Sequence, residues 1–408
     1  MAIDKGSLDD FKFLNSVSED FALSAQKVND SSLQRKLHTE NAIVSLEDAE
    51  RAGGMLLNEL KIGSRESILL RSRHDAILNI CRILKMNLDR QKILIDKLFT
   101  VKPKNGFTVN HHYLDELDRL RKLLTQSLSK AFGILTEIVA TGNEMILLDK
   151  LIQTSKKYQK KGIIRLKKLT FTALKDAETA IEGSKLNHDR GAELINEIKR
   201  IPDYVEDKNT FALRAIVDMA NEGAELALHV NSSSKSQLEF AEKVNTVTGQ
   251  LHDESLHIRK LVSDKHSLFT KNNELISQVA VIVAVEFFEY LSAMDIARHL
   301  KENDDLYDPE VIEAIYDLTA FVENACEDVE SVASLNYDMT EAVAVNAKIE
   351  EKTVELTQKE TGCFDMTRHQ VMLMTEKTRF PIDGSARNIE NGRKVSDYVQ
   401  RLLDSLTR

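Results

Sequence analysis

LISQVAVIVAVEFFEYLSAMDIARHL, residues 275–300, is the most apolar run of this 408-residue chain and contains neither Gly nor Pro. Its apolar residues recur along one face at steps of four and three: Ile276, Ala280, Val283, Phe287, Tyr290, Met294 and Ala297. This heptad spacing predicts a helix with an apolar seam. Additional Val, Ile, Phe and Leu residues widen the face, so we expect other helices to surround this one.

The same run has the length of a membrane span, which needs about 20 apolar residues. However, Glu286, Glu289, Asp295 and Arg298 interrupt it, and each charge at a bilayer centre costs roughly 2.5–3.5 kcal/mol. The charge-free part, Leu275–Val285, is too short to span. The pattern therefore favours a buried bundle helix, with membrane insertion as the alternative.

The composition is poor in turn-forming residues, with 15 Gly and four Pro. Strand-rich folds need frequent turn signals, so their scarcity together with strong helical periodicity indicates long helices. We predict an all-α fold: an elongated bundle of long antiparallel helices with coiled-coil (heptad) packing. The formal net charge of −10 argues against nucleic acid as the main partner, because phosphate binding needs a basic face.

The N-terminus and the cysteines indicate the compartment. The first residues, MAIDKGSLDDFKF, have neither the basic start nor the apolar core of a signal peptide. Cys81, Cys326 and Cys363 are odd in number and far apart, which is typical of free thiols in a reducing compartment. We therefore predict a cytoplasmic protein.

The prolines predict where helices end, because proline in a helix interior costs about 3 kcal/mol. They are Pro103, Pro202, Pro309 and Pro381. The predicted segments are an N-terminal helical segment at 1–102, a second at 104–201, a third at 203–308 that contains the apolar core helix 275–300, an acidic heptad helix at 310–380, and a turn with a short C-terminal helix at 381–408. Further breaks are predicted at Gly53-Gly54, Gly162 and Ser232-Ser233-Ser234.

The acidic segment has the most regular repeat in the chain. Its seam positions step by four and three without a slip: Val311, Ile315, Leu318, Val322, Ala325, Val329, Val332, Asn336, Met339, Val343 and Asn346. More than four heptads of this kind predict a coiled-coil seam. A buried Asn in such a seam fixes register or partner number. The other interpretation of Asn336 and Asn346 is a frayed, partly hydrated seam, and both stay open.

Charge is segregated along the sequence. A basic block with no acid comprises Lys150, Lys156, Lys157, Lys160, Lys161, Arg165, Lys167 and Lys168. From Lys301 to Ala347 the balance is reversed, with 13 Asp or Glu against Lys301 alone. These blocks are interpreted as solvated faces, or as opposed fields that set register within or between chains. A third interpretation places the basic block, residues 150–168, on an anionic membrane surface or nucleic acid.

No constellation of residues predicts catalysis. His111 and His112 are adjacent, and His252 and His257 are five apart, so neither pair has the i, i+4 spacing of a zinc-binding helix. No glycine-rich phosphate loop follows a strand, and Cys81 lies among Ile and Leu residues, which indicates a core position. We predict no enzyme, no metal, no cofactor and no small-molecule substrate.

The run Ala342–Glu350, AVAVNAKIE, resembles the stretch near the signalling hairpin of bacterial chemoreceptors, where an aliphatic-Asn-Ala-x-Ile-Glu run precedes Ala-Ala-Arg-Ala-Gly. Here Glu351-Lys352-Thr353 follows instead, and the glycine-rich tip that binds the kinase and coupling protein is missing. The resemblance covers about nine of 408 residues. It implies a long antiparallel helical hairpin that works by contacts with other proteins.

These observations predict a non-enzymatic cytoplasmic protein that acts through helix-mediated self- or hetero-assembly. It would serve as a structural scaffold or as a chemoreceptor-like signalling module, with protein partners or further copies of itself in an oligomer. The alternative is a helical pore-forming or membrane-inserting protein that exposes 275–300. An enzyme with a site between helices is a third hypothesis.

Overall fold

The computed structural model describes residues 5–100, 111–303 and 309–407, except for the side chains of residues 5–9, 98, 111, 310 and 311. Within these residues the regular elements are all α-helices and there is no strand. The helices are α1 (Lys5–Thr100), α2 (His111–Ile198), α3 (Ile201–Glu206), α4 (Thr210–Glu302) and α5 (Pro309–Thr407). The predicted all-α helical bundle is confirmed, whereas its coiled-coil packing stays a prediction.

The four long helices contribute to two compact units. Unit 1 comprises Met1–Gly54, Lys157–His257 and Gln358–Arg408, and unit 2 comprises Met55–Lys156 and Ile258–Thr357. In unit 1 the core is built from Ala, Leu, Val and Ile of all four long helices, and it also includes Phe21 and Phe364. In unit 2 a row of apolar clusters joins α1, α2, α4 and α5.

In unit 2, side-chain contacts place each helix beside two others. These contacts are Gln153 Nε2 to Ser64 Oγ at 2.8 Å (α2–α1), Arg73 Nη1 to Asp338 O at 2.8 Å (α1–α5), Lys271 Nζ to Glu137 Oε1 at 2.6 Å (α4–α2), and Thr319 Oγ1 to Ala297 O at 3.3 Å (α5–α4). The ring of neighbours is therefore α1, α2, α4 and α5. Arg82 of α1 lies over the ring of Phe132 of α2, so contacts move down α2 from Gln153 as they move up α1 from Ser64, and this pair is antiparallel.

The heptad positions of α5 lie inside unit 2. From Ile315 to Asn346 every predicted seam residue is buried, while the side chain of Val311 lies outside the described residues. They pack against α1, α2 and α4 of the same chain. In this fold they therefore build the core of unit 2 and present no seam to a second chain.

The residues of 275–300 that face the core are only partly the predicted ones. Ile276, Val283, Tyr290 and Ala297 are buried as expected, but Ala280 and Met294 are half-buried and Phe287 is 36 % exposed. The second buried row is Val279, Ala293 and Leu300 instead. The observed row lies one residue before the predicted row of Ala280, Phe287 and Met294, which is about 100° around a helix. The neighbouring helices α2 and α5 cover the row that points between them, so assigning Phe287 to the seam was wrong.

Other helices do not surround this run. Val281, Val285 and Phe288 are 63 %, 61 % and 72 % exposed. A helix that packs beside two neighbours buries only part of its circumference. An apolar helix in a four-helix bundle therefore keeps one apolar face exposed to solvent. The expectation that 275–300 is buried on several sides is therefore wrong for this face.

Several predicted helix ends are wrong. Residues 53–54, 162 and 232–234 lie within helices, and Pro381 lies inside α5, which continues to Thr407 without the predicted turn. The boundary at Pro202 is correct: α2 ends at Ile198 and Pro202 occupies the first turn of α3. Helix α5 begins at Pro309, whereas Pro103 and Asp308 lie outside the described residues.

Candidate functional site

The basic block of α2 is not a uniform surface patch. Lys156 is buried, which contradicts its place in the patch. Lys167 is half-buried and its Nζ lies 2.9 Å from Glu50 Oε2 of α1. The remaining predicted patch residues are exposed: Lys157, Lys160, Lys161, Arg165 and Lys168. The bases differ in exposure because every third or fourth residue of a helix faces the core, whatever its charge.

Apolar side chains lie among these exposed bases. Tyr158, Ile164 and Phe171 are each at least half exposed on the same stretch of α2. The sequence prediction overlooked this mixture, because apolar residues of a helical sequence are ordinarily assigned to the core. The outer surface of α2 in unit 1 is therefore both basic and apolar.

A longer exposed apolar row runs along α1 in unit 2. Met55, Ile62, Leu69 and Ile83 are exposed, and they follow one another in steps of seven with Ala76 between the last two. We call these four residues the outer row of α1. The inner face of the same helix, which includes Leu56, Leu70 and Leu84, is already buried in the core. Helix α1 thus has two apolar faces, and only one of them is covered within the described chain.

The outer surface of α5 in unit 2 is acidic. Glu313, Asp317, Glu327 and Glu341 are exposed, and none of them forms an ion pair in the part of the chain that the structure describes. Exposed like charges repel one another unless counter-charges approach them. The acidic block therefore keeps its charge available on the surface of the bundle.

Three charged side chains meet inside unit 2. Lys265 Nζ of α4 lies 2.6 Å from Asp149 Oδ1 of α2 and 2.5 Å from Glu350 Oε1 of α5. All three side chains are excluded from solvent, and Lys265 is 0 % exposed. We call Asp149, Lys265 and Glu350 the ionic layer. Taking charges out of water costs several kcal/mol per ion, so such a layer is retained only when its members pair.

Helix α1 completes the ionic layer with small residues. A Cβ on Gly63 would lie 3.3 Å from Lys265 Nζ and 3.4 Å from Ile349 Cγ2. Glycine therefore leaves the space that the ammonium group occupies. Ser64 and Ser67 of the same turn lie beside Asp149, and Ser67 Oγ donates to Gly63 O at 2.8 Å. All four long helices meet at this level, which fixes their register relative to one another.

The ionic layer has one carboxylate more than its ammonium group can balance. Burial raises the pKa of Asp149, and the nearby Lys265 opposes this rise without cancelling it. Burial likewise raises the pKa of Glu350, again against the effect of Lys265. A buried carboxyl avoids its charged form. The layer therefore takes up a proton more readily than two carboxyl groups in water.

His74 of α1 is a second buried titratable group in unit 2. Its ring is fully buried, and neither ring nitrogen has a hydrogen-bond partner among the described residues. Burial lowers its pKa from 6.5 to about 3. The imidazole is therefore neutral at physiological pH, which is typical of a structural core histidine.

Unit 1 contains a buried cation without a carboxylate. Arg35 is fully buried, with Nη1 donating to Ser234 Oγ at 3.2 Å and Nη2 donating to Ser32 Oγ at 2.9 Å. Within the described residues no acid pairs with it, and burial lowers its pKa to about 10. Two serine hydroxyls from α1 and α4 therefore hold a guanidinium group that is still charged at neutral pH.

The sequence contained a signal for these sites that the prediction did not use. Lys265 occupies a core position of α4 between Val262 and Phe269, and Arg35 occupies one of α1 between Val28 and Ala42. A charged residue in a row of apolar residues indicates a buried polar contact. The partners could not be identified, because the sequence does not state which helices are neighbours.

The described residues contain no group of three or more His, Cys, Asp or Glu side chains arranged to hold a metal ion. One described helix, the part His112–Ile198 of α2, is long and apolar enough to cross a membrane, with a mean hydropathy of 1.4 over 18 residues, 33 % of them buried. Core helices of helical bundles have the same property.

The fold and these sites define an all-α helical bundle with buried polar contacts and charged outer faces. No known protein family matches the chain, and no curated protein matches it either.

Proposed function

We propose that this chain is a non-enzymatic cytoplasmic protein that works by helix-mediated assembly with further copies or with other proteins. The observation that carries the proposal is the outer row of α1, Met55, Ile62, Leu69 and Ile83. Heptad spacing of apolar residues is the pattern by which one helix packs along another. Since the inner face of α1 is used within the bundle, the outer row has the spacing to receive a helix from outside.

A scaffold and a chemoreceptor-like signalling module both follow from such assembly. The scaffold needs only a stable bundle with an exposed helical face. The signalling module also needs a bundle that changes its packing, and the ionic layer and His74 are buried groups whose protonation would alter packing. The chemoreceptor resemblance at Ala342–Glu350 is the reason for the second form, and its last residue, Glu350, belongs to the ionic layer.

The test is the mass of the purified chain after the outer row is made polar. Ile62→Lys, Leu69→Lys and Ile83→Lys are combined in one variant. The matched control places three lysines at exposed polar positions of α2 in the same unit: Ser129→Lys, Thr136→Lys and Asn143→Lys. Light scattering is expected to show loss of the assembly in the first variant alone. Equal masses for wild type and both variants, alone and with cell extract, would refute the proposal.

The alternative function is membrane insertion, and the exposed Val281, Val285 and Phe288 favour it. Exposed apolar residues in a run of this length resemble the segment that a pore-forming protein delivers to a bilayer. Release of a trapped dye from liposomes by the purified chain would support this alternative. Dye retention at all protein concentrations, with an assembled protein in solution, would favour the first proposal.

A further inference from the structure

The outward surface of α2 in unit 1 carries bases and no acid. Residues 157–175 contain seven Lys or Arg and no Asp or Glu. One of the seven, Lys167, is half-buried, and its Nζ lies 2.9 Å from Glu50 Oε2 of α1. The other six are exposed, and none forms an ion pair in the part of the chain that the structure describes: Lys157, Lys160, Lys161, Arg165, Lys168 and Lys175. We call these six residues the basic face of α2.

Helix geometry places the basic face opposite the core of unit 1. Ala177 of α2 is fully buried, and Lys168, nine residues earlier, lies about 180° away from it around the helix. Lys161 and Lys175 are one heptad before and after Lys168, so the three lysines project in nearly the same direction. From Lys157 to Lys175 the face is about 27 Å long at 1.5 Å per residue. It is therefore a straight row of positive charge that points away from the bundle.

Three apolar side chains lie among these bases. Tyr158, Ile164 and Phe171 are 67 %, 54 % and 50 % exposed, and each lies within about 80° of Lys168 around the helix. A ligand that only neutralised the bases would leave these side chains in water. The face therefore fits a surface that has negative charge outside and apolar material directly beneath.

Acids at the borders of the basic face are compensated within unit 1. Glu50 of α1 pairs with Lys167, and Glu178, one turn beyond the face on α2, lies 3.4 Å from Lys36 Nζ of α1. Neither Lys36 nor Lys167 belongs to the basic face. The charge of the six exposed bases is therefore available to an outside partner.

We propose that the basic face of α2 docks on the anionic headgroup surface of a lipid bilayer. The helix lies along the surface, and Ile164 and Phe171 reach past the headgroups. Clusters of about four to eight Lys or Arg on an amphipathic helix bind anionic lipids, and apolar side chains on such a helix enter the headgroup and acyl boundary. This contact goes beyond the proposed assembly, which uses the outer row of α1 in unit 2, so either can hold without the other.

The apolar side chains favour lipid over nucleic acid as the partner. The phosphate groups of both attract Lys and Arg. An aromatic ring can stack on an unpaired base, but Ile164 has no ring, and it would remain in water on a nucleic acid. At a bilayer both Ile164 and Phe171 are removed from water. Docking of this kind also differs from insertion of 275–300, because it leaves the bilayer closed.

The test is co-sedimentation of the full-length chain with vesicles of phosphatidylcholine and phosphatidylserine, and with vesicles of phosphatidylcholine alone. The wild type is expected to bind the mixed vesicles only, and to leave them as salt rises, because exposed charges are screened. Lys161→Gln, Lys168→Gln and Lys175→Gln, combined, should weaken binding about 100-fold, since each base at an anionic surface contributes about fivefold. Ile164→Ser combined with Phe171→Ser should weaken it about tenfold.

The matched control removes the same charge from the other side of unit 1. There α5 contacts α1, through Ser31 Oγ and Lys377 O, and α4, through His252 Nε2 and Asp365 Oδ1. Since α2 contacts the same two helices, α5 lies across the unit from it. The control combines substitutions of three exposed bases of α5: Lys359→Gln, Arg368→Gln and Arg379→Gln. It is expected to bind the mixed vesicles as the wild type does.

Equal melting temperatures of the wild type and all variants show that each variant is folded. If the triple lysine variant melts earlier, Lys168→Gln alone is measured, with an expected loss of about fivefold. Failure of the wild type to bind mixed vesicles, or equal binding to both kinds of vesicle, overturns the proposal. Binding that the α2 variants retain, or that the α5 control loses equally, places the contact elsewhere and also overturns it.

Two further results identify a different partner or mode. Duplex DNA bound as tightly as mixed vesicles, with a loss in the lysine variant but none in the variant with Ile164→Ser and Phe171→Ser, overturns the lipid assignment in favour of nucleic acid. Release of a trapped dye by the bound chain overturns surface docking in favour of insertion. Light scattering without vesicles tests the proposed assembly separately, so failure of one proposal is distinguished from failure of the other.

Discussion

Ser31 supplies the hydrogen bond that Pro381 cannot make. Pro381 has no N–H, so the carbonyl oxygen of Lys377, four residues earlier in α5, lacks its backbone donor. The Ser31 hydroxyl of α1 donates to Lys377 O at 2.7 Å. One turn further along, Asn231 Nδ2 of α4 donates to Ile382 O at 2.7 Å. Side chains of neighbouring helices in unit 1 thus satisfy the backbone around the proline, and α5 continues through it.

The first prediction concerns this contact. Ser31→Ala leaves Lys377 O without a donor. A buried acceptor that loses its partner costs about 1–3 kcal/mol, and because this contact is part-buried we expect the lower end, about 1 kcal/mol. We expect the free energy of unfolding of unit 1, measured in urea, to fall by that amount. In a Pro381→Ala background the backbone N–H of residue 381 restores the bond, so Ser31→Ala should then cost much less.

A double-mutant cycle of Ser31→Ala and Pro381→Ala measures this coupling directly. Ser45→Ala serves as the control, because the Ser45 hydroxyl makes a solvent-exposed hydrogen bond within its own helix, to Asn41 O. If the cost of Ser31→Ala is the same with and without the proline, the hydroxyl does not replace the missing donor.

Local patterns predicted the helices, while contacts between distant residues decided the exceptions. The heptad spacing from Ile315 to Asn346 correctly identified buried positions in α5. The break at Pro381 was wrong because its compensation comes from Ser31, 346 residues before the carbonyl that it bonds. Proline tolerance depends on which helix lies alongside, and periodicity within one helix carries no such information.

The ionic layer was missed for the same reason. Asp149, Lys265 and Glu350 belong to three helices, and each residue alone resembles an exposed charge in a charged sequence. Their meeting follows from the order of helices around unit 2 and from the space that Gly63 leaves. Which row of 275–300 is buried also depends on the neighbouring helices. Adjacent rows of this helix are both apolar, so the sequence alone does not distinguish them.

The second prediction is that the ionic layer makes unit 2 less stable as pH rises. A group whose pKa is raised in the folded state stabilises the fold fully below its ordinary pKa, and this contribution is lost as pH rises through the folded value. Burial raises the pKa of Asp149. Asp149→Asn cannot lose this proton and keeps the Lys265–Glu350 pair. We expect the variant to gain stability over wild type as pH increases from 4 to 8, by up to about 1.4 kcal/mol for each unit of raised pKa.

Urea unfolding at several pH values measures this gain, with Glu351→Gln as the control because Glu351 is the exposed neighbour of Glu350. Lys265→Met tests the opposite change. It leaves two buried carboxyl groups without a counter-charge and should cost about 3–5 kcal/mol. A stability difference between Asp149→Asn and wild type that does not vary with pH would contradict this account of the layer.

The third prediction has the opposite sign and concerns His74. Burial lowers its pKa from 6.5 to about 3, so the folded state binds its proton less readily than the unfolded state. Its stabilising contribution is present above pH 6.5 and is lost as pH falls toward 3, with a slope of about 1.4 kcal/mol per pH unit. His74→Leu removes the titration and fills an apolar site near Ile77 and Leu70. The variant should resist acid between pH 6 and 4 better than wild type does.

The control for this prediction is His257→Leu, because His257 is exposed. Both variants lose one histidine, so the difference between their stability profiles isolates the buried ring. If His74→Leu and His257→Leu follow the same curve between pH 7 and 4, the ring of His74 must be reached by water or by a proton acceptor in solution. Together with Asp149→Asn, whose effect has the opposite sign, the pair would show how two buried groups of unit 2 oppose one another between about pH 4 and 6.5, where both affect its stability.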